Sequence, residues 1–166
     1  MTKAVWSAAA AAATVLFVAS PGLAQSVDTK TLNVSATVSA RAKLTLSAAS
    51  VSFADADPDL TPSIAATPLT VDVKTRTGAA GNVTLTVLAD GDLMSGSDPI
   101  AISNLTWTTG AGLSAGTMSK TAAVTLGSWT GSGNHNNMSQ TYALANSWTY
   151  AVGSYAAVVT YTLTAP

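Results

Sequence analysis

The sequence predicts an all-β protein, an immunoglobulin-like antiparallel β-sandwich with an extended strand at its N-terminus. Three observations carry that expectation. In "TLNVSATVSARAKLTLS" (31–47) every even position from Leu32 to Leu46 is apolar and every odd one polar or charged, the period-two pattern of a half-buried strand. Further short alternating segments recur along the chain, divided by Gly- or Asn-rich turns, as sandwiches and barrels require. Ser, Thr, Ala and Val dominate, only 9 % of residues are charged, and no Glu occurs. Thr and Val favour strands, Glu and Lys do not.

Taken in order, residues 1–24 read as a secretory signal peptide. Lys3 precedes a charge-free apolar run from Ala4 to Ala19, and "SPGLA" places Gly22 and Ala24 at the −3 and −1 positions of a cleavage site. The run is short and Ala-rich for a membrane span, which needs about 20 apolar residues. Residues 25–40 form an N-terminal extension and 41–166 the sandwich. The ribbon 31–47, at roughly 3.3 Å per residue, outruns the usual strand of about five or six residues. It reads better as two pieces in one phase, roughly 31–39 and 42–47.

Strand segments then follow at "SVSF" (50–53), "PLTVDVKTR" (68–76), "NVTLTVLA" (82–89), "PIAISNLTWTT" (99–109), "KTAAVTLGSWT" (120–130), "SQTYALANSWTY" (139–150) and "SYAAVVTYTLTA" (154–165). The acidic stretch "ADADPDLTPS" (54–63), "TGAAG", "DGD", "GAGLSAG" and "GSGNHNNM" are expected as loops. The final strand puts Tyr155, Ala157, Val159, Tyr161 and Leu163 on one face. Left at a sheet edge, so apolar a strand is an aggregation site and needs a partner.

The balance of seven Lys and Arg against eight Asp offers no basic patch for nucleic acid. No second apolar stretch is long enough to span a bilayer. The chain has no Cys, so an exported fold of this kind is held by packing and backbone pairing alone. Thiol catalysis is excluded by composition, and His135, the only imidazole, sits in a Gly/Asn-rich stretch poorly suited to orienting a triad. No enzyme is expected, and no cofactor. Asp55, Asp57 and Asp59 have the one-three-five spacing of a calcium loop, but Leu60 and Ala66 stand where that loop needs Gly and Glu. They are weak metal candidates and read better as a solvated loop. Trp107, Trp129 and Trp148 are candidates for stacking sugar rings, against the plainer expectation that they cover the core. Sequons at Asn33, Asn82, Asn104 and Asn137 decide little in so Ser/Thr-rich a chain.

The two ends carry a resemblance. "KTLNVSATVSARAKLTL" resembles the start of the Cys-free, colonization-factor-type pilins of the alternate chaperone–usher pathway, and "AVGSYAAVVTYTLTAP" is similar to their closing strand. The middle, "VSFADADPDLTPSIAATPLTVDVKTRTGAAGNVTLTV", resembles the spore-coat-U-type archaic pilins, which usually carry cysteines. The ending also resembles WxL-type surface domains. The pilin resemblance implies a structural subunit of a surface fibre, exported through the periplasm and assembled by donor-strand complementation. Its partners are then copies of itself, a periplasmic chaperone and an outer-membrane usher. Leu32, Val34, Ala36, Val38 and Ala40 would form the donor strand, and the strand bearing Tyr155 to Leu163 would flank the acceptor groove. The alternative is a self-complete extracellular module that binds carbohydrate or cell wall through its aromatic residues.

Overall fold

The computed structural model describes residues 26–166; the expected signal peptide lies outside the described residues. The chain divides into two units between Ala36 and Thr37. Residues 26–40 form no helix or strand. Residues from Arg41 onward contribute β1 (Arg41–Leu46), β2 (Ser63–Ala65), β3 (Leu69–Arg76), β4 (Asn82–Ala89), β5 (Leu93–Ser95), β6 (Asp98–Ile100), β7 (Leu105–Thr109), β8 (Gly116–Thr117), β9 (Val124–Thr130), β10 (Gly133–Ala145) and β11 (Val159–Thr164).

One sheet runs β1-β3-β10-β7-β8, with β2 also paired to β10; the second runs β11-β4-β9; β5 and β6 form a separate ribbon. Every ladder is antiparallel. The order β1-β3-β10-β7 reproduces the A-B-E-D sheet of an immunoglobulin-type sandwich, and the neighbours β4 and β11 its C and F strands. In that architecture a seventh strand, G, lies on the far side of F. Among the described residues no strand pairs with β11 there.

The alternation read from the sequence is the burial pattern of the sheets. Val71 and Val73 of β3, Val83, Leu85 and Val87 of β4, and Leu126 of β9 are fully buried, while their neighbours Lys74, Thr84, Thr86 and Thr125 face outward to varying degrees. Burying each such Val or Leu contributes about 1.5–3 kcal/mol. One flank of the sandwich is sealed. Trp107 is buried and its indole N–H donates to the Ser114 carbonyl at 2.9 Å, the Ser114 N–H donates to Leu126, and the Met118 N–H to Leu105.

Several segments depart from expectation. "SVSF" is no strand: its backbone runs unpaired, and Val51 and Phe53 pack on the core from a loop. "GSGNHNNM" (131–138), expected as a connection, belongs to β10 from Gly133 onward, so His135 is a strand residue. A bulge between His135 and Met138, with Asn137 at φ 57°, absorbs the Asn run. His135 stacks on Trp129 with ring centroids 4.7 Å apart. The segment 99–109 breaks into β6, a 3-10 turn at Ile102–Asn104 and β7, its turn held by the Asp92 carboxylate, which accepts the Ile102 N–H at 2.9 Å. The short β2, β5 and β8 had no alternation to reveal them.

Candidate functional site

β1 and β11 are the open margins of the two sheets on the same flank. These two strands approach each other, but beside them, between the segment after β1 and the one leading into β11, the sandwich is not filled. A cleft of about 1190 Å³ runs into the core, larger than the ~300–1,000 Å³ typical of small-molecule sites. Its floor is apolar: Leu69 of β3, Leu105 of β7, Tyr142 and Leu144 of β10. One wall runs on from the end of β1, with Leu46, Val51 and Phe53, and the other is the segment leading through β11, with Tyr155, Ala157, Val159 and Tyr161. Four of the five residues expected to flank an acceptor groove therefore line the cleft. Leu163, the fifth, is half-buried on the same face nearer the end of the strand.

The free margin of β11 presents backbone as well as side chains. Alternate residues of a strand turn their N–H and C=O groups to opposite sides. Ala156 exchanges both hydrogen bonds with Met94, at 3.0 and 3.1 Å. Val158 accepts the Asp90 N–H at 2.9 Å, and its own N–H donates to the Asp90 carboxylate at 2.9 Å. The groups of Ala157, Val159, Tyr161 and Leu163 consequently face the open side. No pattern in the sequence distinguishes these odd positions as the unpaired ones; only the register with Asp90 and Met94 does.

A polar group sits within the apolar floor. Tyr161 Oη donates to Gln140 Oε1 at 2.7 Å and lies 2.7 Å from Tyr142 Oη. Because the single Tyr161 proton is given to Gln140, Tyr142 is the donor of the second bond. Gln140 is fully buried, and its Nε2 has no partner among the described residues. Burial pushes the ionisation of both tyrosines above the ordinary phenol range, and for Tyr161 the nearby Tyr142 adds to the effect. This cluster links the edge strand β11 to the central strand β10, and alternation alone did not predict it.

The remaining candidates are dispersed. Trp107 is 2 % exposed and shielded from any sugar ring, a correction to its candidacy; it lies edge-on to Tyr142 with centroids 6.1 Å apart. Trp129 is half-buried with one face covered by His135. Trp148 alone is well exposed, at 69 %, and its indole N–H donates to Asp59 Oδ1 at 3.1 Å. The three form no common platform. Asp57 Oδ1 accepts the Asp59 N–H at 2.9 Å, as an Asx turn does, and among the described residues no three His, Asp or Glu side chains gather to hold a metal ion. In the N-terminal segment Leu32, Val34 and Val38 are 86, 85 and 69 % exposed. No helix among the described residues is long and apolar enough to cross a membrane. The sequence matches no protein-family model and no curated protein.

Proposed function

We propose that this chain is the structural subunit of a surface fibre, in which residues 31–40 of one copy complete the sandwich of the next. The observation that carries the reading is the unfilled flank: an immunoglobulin-type order with no G strand among the described residues, and a largely apolar cleft beside that place. A segment that adds as a strand gains affinity from backbone pairing and specificity from alternate side chains. Residues 32–40 supply both in the right phase, with Leu32, Val34, Ala36, Val38 and Ala40 inward, and they match in length the nine residues from Tyr155 to Leu163. Burying Leu32, Val34 and Val38 contributes about 5–9 kcal/mol before ordering costs. Because the donated strand and the cleft are different surfaces of one chain, the contact is heterologous and propagates as a filament when its rotation does not close.

In this reading the cleft also accepts a chaperone strand before assembly, and the chain acts outside the cell after export. The competing view, a self-complete module holding carbohydrate or cell wall, is left with Trp148 as the one well-exposed indole among the described residues. Electron microscopy of the intact chain and of a variant lacking residues 25–40 tests the proposal. Filaments are expected from the first and none from the second. Filaments from the truncated chain, or a stable monomer at high concentration from the intact one, would refute it.

A further inference from the structure

The charges of the sandwich are sorted to its two ends. In the β1–β3 ladder Arg41 stands opposite Arg76 and Lys43 opposite Lys74. Residues directly opposite share a face, and like charges so placed destabilise the ladder. All four are exposed. The ion pairs among the described residues are Lys30 with Asp28 and Lys120 with Asp92, so none of the four is in one. The nearest acid along that row, Asp72, accepts the Asn137 N–H at 2.7 Å. Four of the chain's seven cations thus form a block beside the start of β10, at Gly133–His135, with Asp72 the one acid in its row, and the excess there is positive.

The acidic loop lies at the other end of β10. Asn146, next after that strand, donates through Nδ2 to the carbonyls of Ala56 and Thr61, and Trp148 donates to Asp59. Asp55, Asp57 and Asp59 are exposed there, and Asp55 and Asp57 also line the mouth of the cleft. From Gly133 to Ala145 is roughly 40 Å at about 3.3 Å per residue. With a screening length near 8 Å at physiological salt, one end cannot neutralise the other within a molecule. A second copy can.

We infer that the acidic loop 55–59 is the docking surface for the Arg41–Lys43–Lys74–Arg76 block of the adjoining copy. The inference rests on the assembly reading above and adds to it a second contact outside the cleft. Arg41 directly follows the inserted segment, so wherever that segment leaves the cleft the block arrives within a residue or two. Leaving at the acidic end, it meets three carboxylates. Leaving at the opposite end, it meets the other copy's own block and is repelled. β11 runs from the acidic end toward the basic end, so the favoured exit makes the inserted segment antiparallel to β11. Complementary poles also steer encounter and discriminate against the reversed approach.

The growth rate of filaments from the purified full chain at 20 and 500 mM NaCl, followed by light scattering and electron microscopy, tests the contact. Growth of the parent is expected to slow about tenfold at the higher salt. Asp55→Asn/Asp57→Asn/Asp59→Asn, which keeps the Oδ1 acceptors, is expected to grow about tenfold more slowly at 20 mM and to ignore salt; Arg41→Gln/Lys43→Gln repeats the result from the other pole. Since the chain has no Cys, a short bis-maleimide can join copies of the Ala40→Cys/Ala54→Cys variant, but not of Ala40→Cys/Thr164→Cys. Salt-indifferent growth of the parent, parent-like rates in both charge variants, or cross-linking at Thr164 instead would overturn the contact and leave strand donation standing. No filaments from the parent at either salt would bring down strand donation itself, and this contact with it.

Discussion

Tyr161, on the unpaired margin of the second sheet, spans the sandwich to donate its hydroxyl proton to Gln140 on the central strand of the first, at 2.7 Å. The bond fixes an edge strand that has backbone pairing on one side only. It also tolerates a cost, since the Gln140 amide nitrogen stays buried without an acceptor.

Tyr161→Phe is therefore expected to destabilise the domain by about 1–3 kcal/mol, because it strands the Gln140 carbonyl as well as its amide. The double variant Tyr161→Phe/Gln140→Leu, which removes both partners of this bond and leaves the Tyr142 hydroxyl unpaired, should recover part of that loss. Urea unfolding of the parent, both single variants and the double variant measures the coupling, and additive losses would contradict the linkage.

The same two phenols set an alkaline limit. Their folded pKa values are raised above the ordinary 10.0, so the folded chain holds protons that the unfolded chain releases. Stability from this source is intact below about pH 10 and falls as pH rises above it. Thermal unfolding between pH 8 and 11.5 should show the decline, and Tyr161→Phe should flatten it.

Gly116 packs its Cα against the Trp107 ring. A Cβ there would stand 2.6 Å from Trp107 Cζ2, and the ring is buried with its N–H committed to Ser114. Gly116→Ala should cost about 1–3 kcal/mol by overpacking, read as a lowered urea midpoint.

The tryptophans should separate cleanly by stability. Trp107→Ala empties a core site and is expected to cost about 3–5 kcal/mol, whereas Trp148→Ala, at an exposed loop position, should stay within about 0.5 kcal/mol. Denaturation monitored by circular dichroism distinguishes them; retention on immobilised glycans that falls with Trp148→Ala would instead favour the carbohydrate-binding view.

Much of this architecture was legible because burial in a sandwich imposes a period of two. β4 occupies the expected residues 82–89, and β3 begins one residue inside the expected 68–76. What escaped detection lacks that period. β2 and β8 have three and two residues, too few to show alternation, and they exist because β10 and β7 offer them free edges. "GSGNHNNM" carries turn residues, yet Gly133 leaves room for the His135 ring to lie over Trp129, and Asn137 takes a left-handed conformation that extends the strand through a bulge. The apolar face that lines the cleft was legible from the alternation of the last segment. The cleft itself was not, because it depends on Val51 and Phe53 approaching from a loop rather than from a strand.

The free margin of β11 also gives the molecule a gauge of its own state. The amide protons of Ala157, Val159, Tyr161 and Leu163 face no strand among the described residues, while the amides of Ala156 and Val158 are held by Met94 and Asp90. Hydrogen exchange along this one short segment would alternate residue by residue, fast at odd positions and slow at even ones. Any strand that covered the margin would erase the alternation, so four adjacent-but-one amides would count occupied subunits in a mixture without a label of any kind.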